Sequence, residues 1–241
     1  MKIKKILHAA IFLLCVFIFG CVINSPPFYN EQAKMFLGQH GANYDLIDKL
    51  TTYKPLSPEE AGELAKCKDV AVLHLVGYNP GTPLPILQQL ARHTNFEVRT
   101  GVAANKNAPL DLLLQLRTPN KYTTVNATLA SNPKIPTNIL QEMSRNGEAS
   151  INNFLRNPNC PVEFMREAAE KKNSFLTLCM VRNPSLPSDL FELFKNDPLP
   201  AVRVNLIGNP SVPLDVLEYL QNDQNEEVQR YARKKLAEYK N

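Results

Sequence analysis

Few reactive side chains in this sequence stand at a spacing that supports catalysis or metal binding. His40, His74 and His93 are scattered and show no His-x-x-x-His spacing, so we expect surface histidines and no metal site. No Gly-x-Ser-x-Gly elbow and no Gly-rich phosphate loop occurs in the chain. The sequence therefore predicts a protein that is not an enzyme, with no cofactor and no evident small-molecule substrate.

Cys21 is the one thiol in a chemically suggestive setting. It follows Lys2, Lys4 and Lys5 and a run of fourteen residues, 6–19, that is apolar apart from His8. This is the length of a signal peptide and is short for a spanning helix. Ile18-Phe19-Gly20-Cys21 resembles the lipobox of bacterial lipoproteins. The resemblance implies lipidation of Cys21 and an envelope location, at the periplasmic face of an outer membrane in a Gram-negative cell. A plain secretory signal is the alternative.

The net charge of the chain argues against a nucleic-acid partner. The chain holds 27 basic and 23 acidic residues, and removing the three signal lysines leaves 24 basic residues and a net charge near +1. Nucleic-acid binding needs a clear basic stripe, so we expect no nucleic-acid partner.

We interpret Cys67, Cys160 and Cys179 as free thiols that behave as small hydrophobes, although a redox role stays open.

The sequence Asn-Pro-x-x-Pro returns about every 26 residues. Its Asn, numbered position 0 below, stands at Asn79, Asn132, Asn157, Asn183 and Asn209, and a degenerate copy begins at Asn105. Pro55-Leu56-Ser57-Pro58 fits a degenerate first copy. A fixed period of this size predicts a stacked array of repeats. The Asn amides could line a binding ridge, but an inward structural ladder is the stronger interpretation, because Asn side chains commonly bond turn backbone.

Each copy opens an amphipathic helix. Positions 7, 8 and 11 are apolar, as in Ile139, Leu140 and Met143, and the spacing i, i+1, i+4 marks one helix face. Acids at position 6, such as Asp111 and Asp215, suit the first turn of a helix. Apolar residues at positions −7 and −3 predict a second, shorter segment, either α or 3₁₀.

This unit resembles the variant leucine-rich repeat family, which reads like Val-Arg-x-x-Leu-Ala-x-Asn-Pro-x-x-Pro-x-x-Leu-Leu. The best matches begin at Val98-Arg99 and Val202-Arg203, and the resemblance spans about residues 70–233. It implies an all-α fold, a right-handed helical-repeat solenoid of alternating α and 3₁₀ helices. Some members carry an N-terminal cysteine cluster for an iron–sulfur centre; this chain has no such cluster, so that cofactor does not carry over.

The organisation expected from these patterns has five parts. They are a lipoprotein signal peptide (1–20), a tether (21–29), an N-terminal helical cap (30–52), a repeat solenoid of about seven units (53–227) and a C-terminal capping helix (228–241). Terminal caps with a polar outer face are what a solenoid requires.

Residues that break the period are the candidates for recognition. The segment 117–122 and the loop at 145–148 interrupt neighbouring repeats, so we predict a protein contact at Arg117, Tyr122 and Arg145. We also expect Tyr78 and Tyr219 to be exposed, either as further interface residues or as ordinary surface tyrosines. The expected function is that of a membrane-anchored scaffold that binds an unidentified protein; the alternative is an envelope assembly lipoprotein that associates with itself.

Overall fold

The computed structural model describes Gly38 and residues 44–239, and every element in this part of the chain is an α-helix. In residues 44–134 the helices are α1 (Tyr44–Thr51), α2 (Pro58–Leu64), α3 (Val70–Tyr78), α4 (Leu84–Ala91), α5 (Phe96–Ala104), α6 (Leu110–Leu116) and α7 (Thr124–Ala130). In residues 135–239 they are α8 (Thr137–Arg145), α9 (Ile151–Phe154), α10 (Val162–Glu170), α11 (Ser174–Met180), α12 (Ser188–Phe194), α13 (Pro200–Ile207), α14 (Leu214–Leu220) and α15 (Glu226–Tyr239). The described helices include none that is both long and apolar enough to span a membrane.

Packing divides the chain into two compact units, with the boundary between Lys134 and Ile135. In each unit the helices that follow an Asn-Pro-x-x-Pro motif, here called leading helices, alternate with trailing helices. Trailing helices α3, α5 and α7 pack in sequence in the first unit, and α9, α11, α13 and α15 do so in the second. The all-α helical-repeat fold expected from the sequence is confirmed.

The second proline of each motif is the residue that starts the leading helix. Pro83, Pro109, Pro136, Pro161, Pro187 and Pro213 are all N-caps, with φ between −55° and −77°. Proline fixes φ in this range. A backbone N–H at the start of a helix has no partner within the helix, so proline, which lacks this group, begins the helix without losing a hydrogen bond. The trailing segments from α3 to α13 are α-helices of seven to nine residues, apart from α9 with four residues. The last trailing helix, α15, has 14 residues. The open choice between α and 3₁₀ is therefore settled in favour of α.

The core lies between the two sets of helices and follows the predicted positions in part, since position 7 is only half-buried at Ile86, Ile139 and Phe164. Leu140, Met143 and Leu129 are buried, as are their equivalents in the other repeats at positions 8, 11 and −3. Position 3, inside the motif, is an additional core position that the helical pattern did not predict. Its residues are Thr82, Ala108, Ile135, Cys160, Leu186 and Val212.

Two glycines allow neighbouring elements of the first unit to approach closely. A Cβ on Gly101 of α5 would lie 2.2 Å from the carbonyl oxygen of His74 in α3. A Cβ on Gly81 would lie 2.3 Å from the carbonyl oxygen of Leu56. Backbone meets backbone at both places, so neither contact can relax by a rotamer change.

Candidate protein-binding surfaces

The recurring Asn side chains are buried and bond the backbone of the preceding repeat. In the first unit, Asn105 Nδ2 donates to the carbonyls of Gly77 (2.8 Å) and Asn79 (2.9 Å), and Asn132 Nδ2 donates to those of Ala103 and Asn105. In the second unit, Asn209 and Asn183 repeat this geometry. These amides form an inward ladder and do not line a binding ridge.

The oxygen of each of these Asn side chains stabilises the turn in which the Asn itself lies. The Oδ1 atom accepts from the backbone N–H two residues later, at 2.8–2.9 Å, in all six copies. Asn79 also reaches the degenerate first copy, since its Nδ2 donates to the Lys54 carbonyl and its Oδ1 accepts from Leu56 N–H. One side chain thus fixes the turn and sets the spacing of adjacent repeats. Only Asn offers a donor and an acceptor at this reach.

In three repeats a polar residue at position −6 bonds the backbone of the loop that precedes its helix. Arg99 Nη1 donates to the carbonyls of His93 (2.6 Å) and Thr94 (2.8 Å). Arg203 occupies the same position, donates to the Asp197 carbonyl and forms a buried bidentate ion pair with Asp223 at 2.7 and 2.8 Å. These are the two arginines of the best-matching repeats.

Asn126 occupies position −6 in the repeat that contains the irregular segment 117–122. Its buried amide donates to the carbonyls of Thr118 and Lys121, both at 2.7 Å, and accepts from Thr118 N–H at 3.0 Å. Asn120 in this segment adopts φ of 57°. The Asn126 amide therefore fixes the backbone of the irregular loop at Thr118 and at Lys121. Tyr122 is the last residue of this loop, and 57% of its surface is exposed.

The three residues predicted to bind a partner fall in different units. Arg117, half-buried, caps the end of α6, and Tyr122 lies five residues further on in the first unit. Arg145 is the exposed last residue of α8 in the second unit. The structure brings Arg117 and Tyr122 into one loop; a common site that includes Arg145 stays a prediction.

The loop after Arg145 is ordered by an internal contact. Gly147 adopts φ of 65°, and Glu148 N–H donates to the Met143 carbonyl at 2.9 Å. The Asn146 amide donates to the buried carboxylate of Glu148 at 3.2 Å. Like the first irregular loop, this one offers exposed residues on a fixed backbone.

The other tyrosines divide into two kinds. Tyr78 is half-buried and packs edge-to-face on Tyr53, with ring centroids 5.0 Å apart, so its expected role as an exposed anchor is wrong. Tyr219 on α14 is 50% exposed. Its hydroxyl donates to Asn196 Oδ1 at 2.8 Å, and Lys195 Nζ lies 4.8 Å from its ring centroid.

Sequence reasoning missed the apolar side chains that the leading helices expose. Position 5, directly after the second proline, carries exposed Leu84, Leu110, Val162 and Leu214. Leu193, at position 10 of α12, is 54% exposed. The sequence does contain the signal for these residues, because an apolar residue outside the buried stripe of an amphipathic helix has no partner in the core.

His74 corrects the expectation of surface histidines. It is buried in α3, and its Nδ1–H donates to the Glu97 carbonyl at 2.8 Å. Burial lowers the pKa of this imidazole, against the raising effect of the Glu97 carbonyl, so the neutral ring is favoured. Within the described residues, no group of three His, Cys, Asp or Glu side chains could hold a metal ion.

The described cysteines are free. Cys160 and Cys179 are buried, as expected for small hydrophobes, and Cys67 is half-buried. Burial raises the pKa of the Cys160 thiol to about 12, which keeps it protonated and unreactive. Cys21, the predicted lipidation site, and the whole signal segment lie outside the described residues.

Comparison with known proteins finds one similar solved structure to report. It is described as "a leucine-rich repeat variant with a novel repetitive protein structural motif", and it is 20% identical, with 86% of this chain and 82% of that chain covered and a TM-score of 0.37. No family model matches the chain, and no curated protein matches it. The description of the fold therefore depends on the helices and the Asn ladder themselves.

Proposed function

We propose that this chain is a lipid-anchored member of the variant leucine-rich repeat family and that it binds another protein in the cell envelope. One observation carries the binding function: the Asn that recurs at every repeat is buried and bonds backbone, while several residues that differ between repeats are exposed on a backbone held by hydrogen bonds. Asn183 and Asn209 illustrate the first class. Tyr122 and Tyr219 illustrate the second.

The membrane anchor is supported by the N-terminal sequence. Lys2, Lys4 and Lys5, the apolar run and Cys21 fit a lipoprotein precursor. Each buried CH₂ of an acyl chain contributes about 0.8 kcal/mol to membrane binding, so acyl chains would hold the protein at a membrane without a spanning helix.

Lipidation is tested by metabolic labelling with palmitate. Cys21→Ala should lose the label and accumulate as uncleaved precursor, because the thioether must form before cleavage. Cys67→Ala removes another thiol and serves as the control, which should keep the label. Unchanged labelling of Cys21→Ala contradicts the anchor.

Protein binding is tested by crosslinking in the native envelope, followed by mass spectrometry. A captured partner should bind the Tyr122→Ala, Arg145→Ala double variant at least about fivefold more weakly, since Tyr and Arg dominate interface energies. Arg117→Ala extends the test within the first loop. Equal affinity means that this site is wrong. A native mass above that of a monomer for the chain without Cys21 would favour the self-associating alternative.

A further inference from the structure

Three leading helices of the second unit, α10, α12 and α14, are linked in order by side-chain contacts. Arg166 Nε on α10 contacts Asp189 Oδ2 on α12 at 3.2 Å. The Tyr219 hydroxyl on α14 donates to Asn196, just after α12. We call the outward surface of these three helices the acidic face; its defining residues are Val162, Glu163, Leu193, Asp215, Glu218 and Tyr219.

The acidic face carries large apolar side chains in contact with solvent. Leu193 and Tyr219 occupy position 10 in adjacent repeats and are each about half exposed. Leu214, at position 5 of α14, is also exposed. The Tyr219 ring is held by Asn196 and by the Lys195 ammonium, so it loses little conformational entropy on binding.

Negative charge surrounds these apolar groups. Arg166, Lys171 and Lys195 are each paired with an acid of the same face. Glu163, Asp215 and Glu218 are exposed and form no ion pair among the described residues. The acidic face therefore carries negative charge that no ion pair in the described part of the chain neutralises at Glu163 and Glu218, whereas the Lys195 ammonium, paired with Glu192, also acts on the Asp215 carboxylate.

The first unit offers an internal comparison in the same register. Positions 10 of its leading helices α4 and α6 are Gln89 and Gln115, both exposed and uncharged. The combination of an apolar residue at position 10 with an acid at position 9 occurs at Glu192-Leu193 and Glu218-Tyr219 and does not occur in α4 or α6. The combination is thus confined to α12 and α14 among the leading helices that carry the motif, and the repeat does not require it.

We propose that the acidic face binds a cationic amphipathic segment of a partner protein. A segment with apolar residues on one side covers Leu193 and Tyr219, and flanking Lys or Arg side chains pair with Asp215 and Glu218. Complementary charge fixes the choice of partner and its orientation, while burial of the apolar groups supplies affinity. This inference rests on the proposed function, because it names the chemistry of a protein partner.

The test uses the full-length chain in neutral detergent and a synthetic amphipathic Lys/Leu helix that carries a photo-crosslinker. Crosslinks should map to α12 and α14, and a Glu/Leu peptide of the same pattern should give none there. The Asp215→Asn, Glu218→Gln variant should lower the apparent affinity about tenfold, as expected for two lost charge pairs. Tyr219→Ala should lower it at least about fivefold.

A charge-matched control separates local recognition from net charge. Gln89→Lys, Gln115→Lys changes the net charge by the same amount in the first unit and should leave crosslinking at α12 and α14 unchanged. Equal capture of both peptides, or an equal loss in this control, overturns the proposal. So does a crosslink between the acidic faces of two copies. If native partners are captured undiminished by the Asp215→Asn, Glu218→Gln variant, protein binding stands and this surface is wrong.

Discussion

Removing one amide of the Asn ladder should destabilise the fold far more than removing an exposed side chain of the same turn. Asn183 donates to the carbonyls of Leu155 (2.8 Å) and Asn157 (2.7 Å) and accepts from Ser185 N–H (2.9 Å). In Asn183→Ala all three bonds are lost at a site that is 3% exposed.

The magnitude follows from what each partner retains. The Asn157 carbonyl still accepts from Cys160 N–H at 2.9 Å, and water can reach the exposed Ser185, so the Leu155 carbonyl suffers the largest loss. An unsatisfied buried group costs about 1–3 kcal/mol, and the vacated volume adds to this, so we expect a loss of about 2–4 kcal/mol.

The assay is urea unfolding followed by circular dichroism at neutral pH. Ser185→Ala loses one exposed bond to the Pro158 carbonyl and should cost about 0.5 kcal/mol or less. Asn183→Asp keeps the acceptor but turns a carboxylate toward two carbonyls, so it should be least stable at pH 7 and recover as acid protonates it. Equal effects of Asn183→Ala and Ser185→Ala would refute the ladder as the main link between repeats.

Three further predictions concern the core and its pH dependence. Gly101→Ala should cost more than about 2 kcal/mol in urea unfolding because its Cβ meets the backbone of α3, whereas Gly62→Ala, with open space around it in α2, should be neutral or stabilising. Leu140→Ala should cost about 2–5 kcal/mol and exposed Lys134→Ala within about 0.5 kcal/mol; equal losses would show that the helix face is misassigned. The lowered pKa of His74 means that the unfolded chain binds the proton first, so stability should fall as pH drops below about 6.5, and His74→Asn should lose that part of the slope in urea unfolding at pH 5 and 7.

The repeat pattern predicts most of the fold because the same physical constraint acts at each copy. Proline fixes where a leading helix starts, and the apolar spacing fixes which face is buried, as at Leu140 and Met143. The inward Asn ladder was also predictable, because an amide can serve the backbone identically in every repeat.

Other features depend on packing between segments far apart in sequence. His74 looks like a surface histidine until α5 places the Glu97 carbonyl against it. Asn126 is an unremarkable helix residue until the loop that it holds is in place. From the sequence, position 3 looks like an exposed loop position. Its residues, such as Cys160, are buried because the turns of successive repeats stack, which no helical periodicity indicates. The acidic face could not be predicted from single residues, because it depends on which side chains share a register in successive repeats.

We infer that the buried Asn and core side chains of each repeat hold this fold and that exposed residues outside the recurring turn recognise a protein. The most direct test of this claim is site-specific photocrosslinking in the native envelope, with the reactive group placed in turn at Tyr122, Tyr219, Lys134 and Ser211. All four positions are exposed, but the last two lie in the recurring turn. We predict crosslinks to another protein from Tyr122 and Tyr219 and none from Lys134 and Ser211; crosslinks of equal yield from all four positions would contradict the claim.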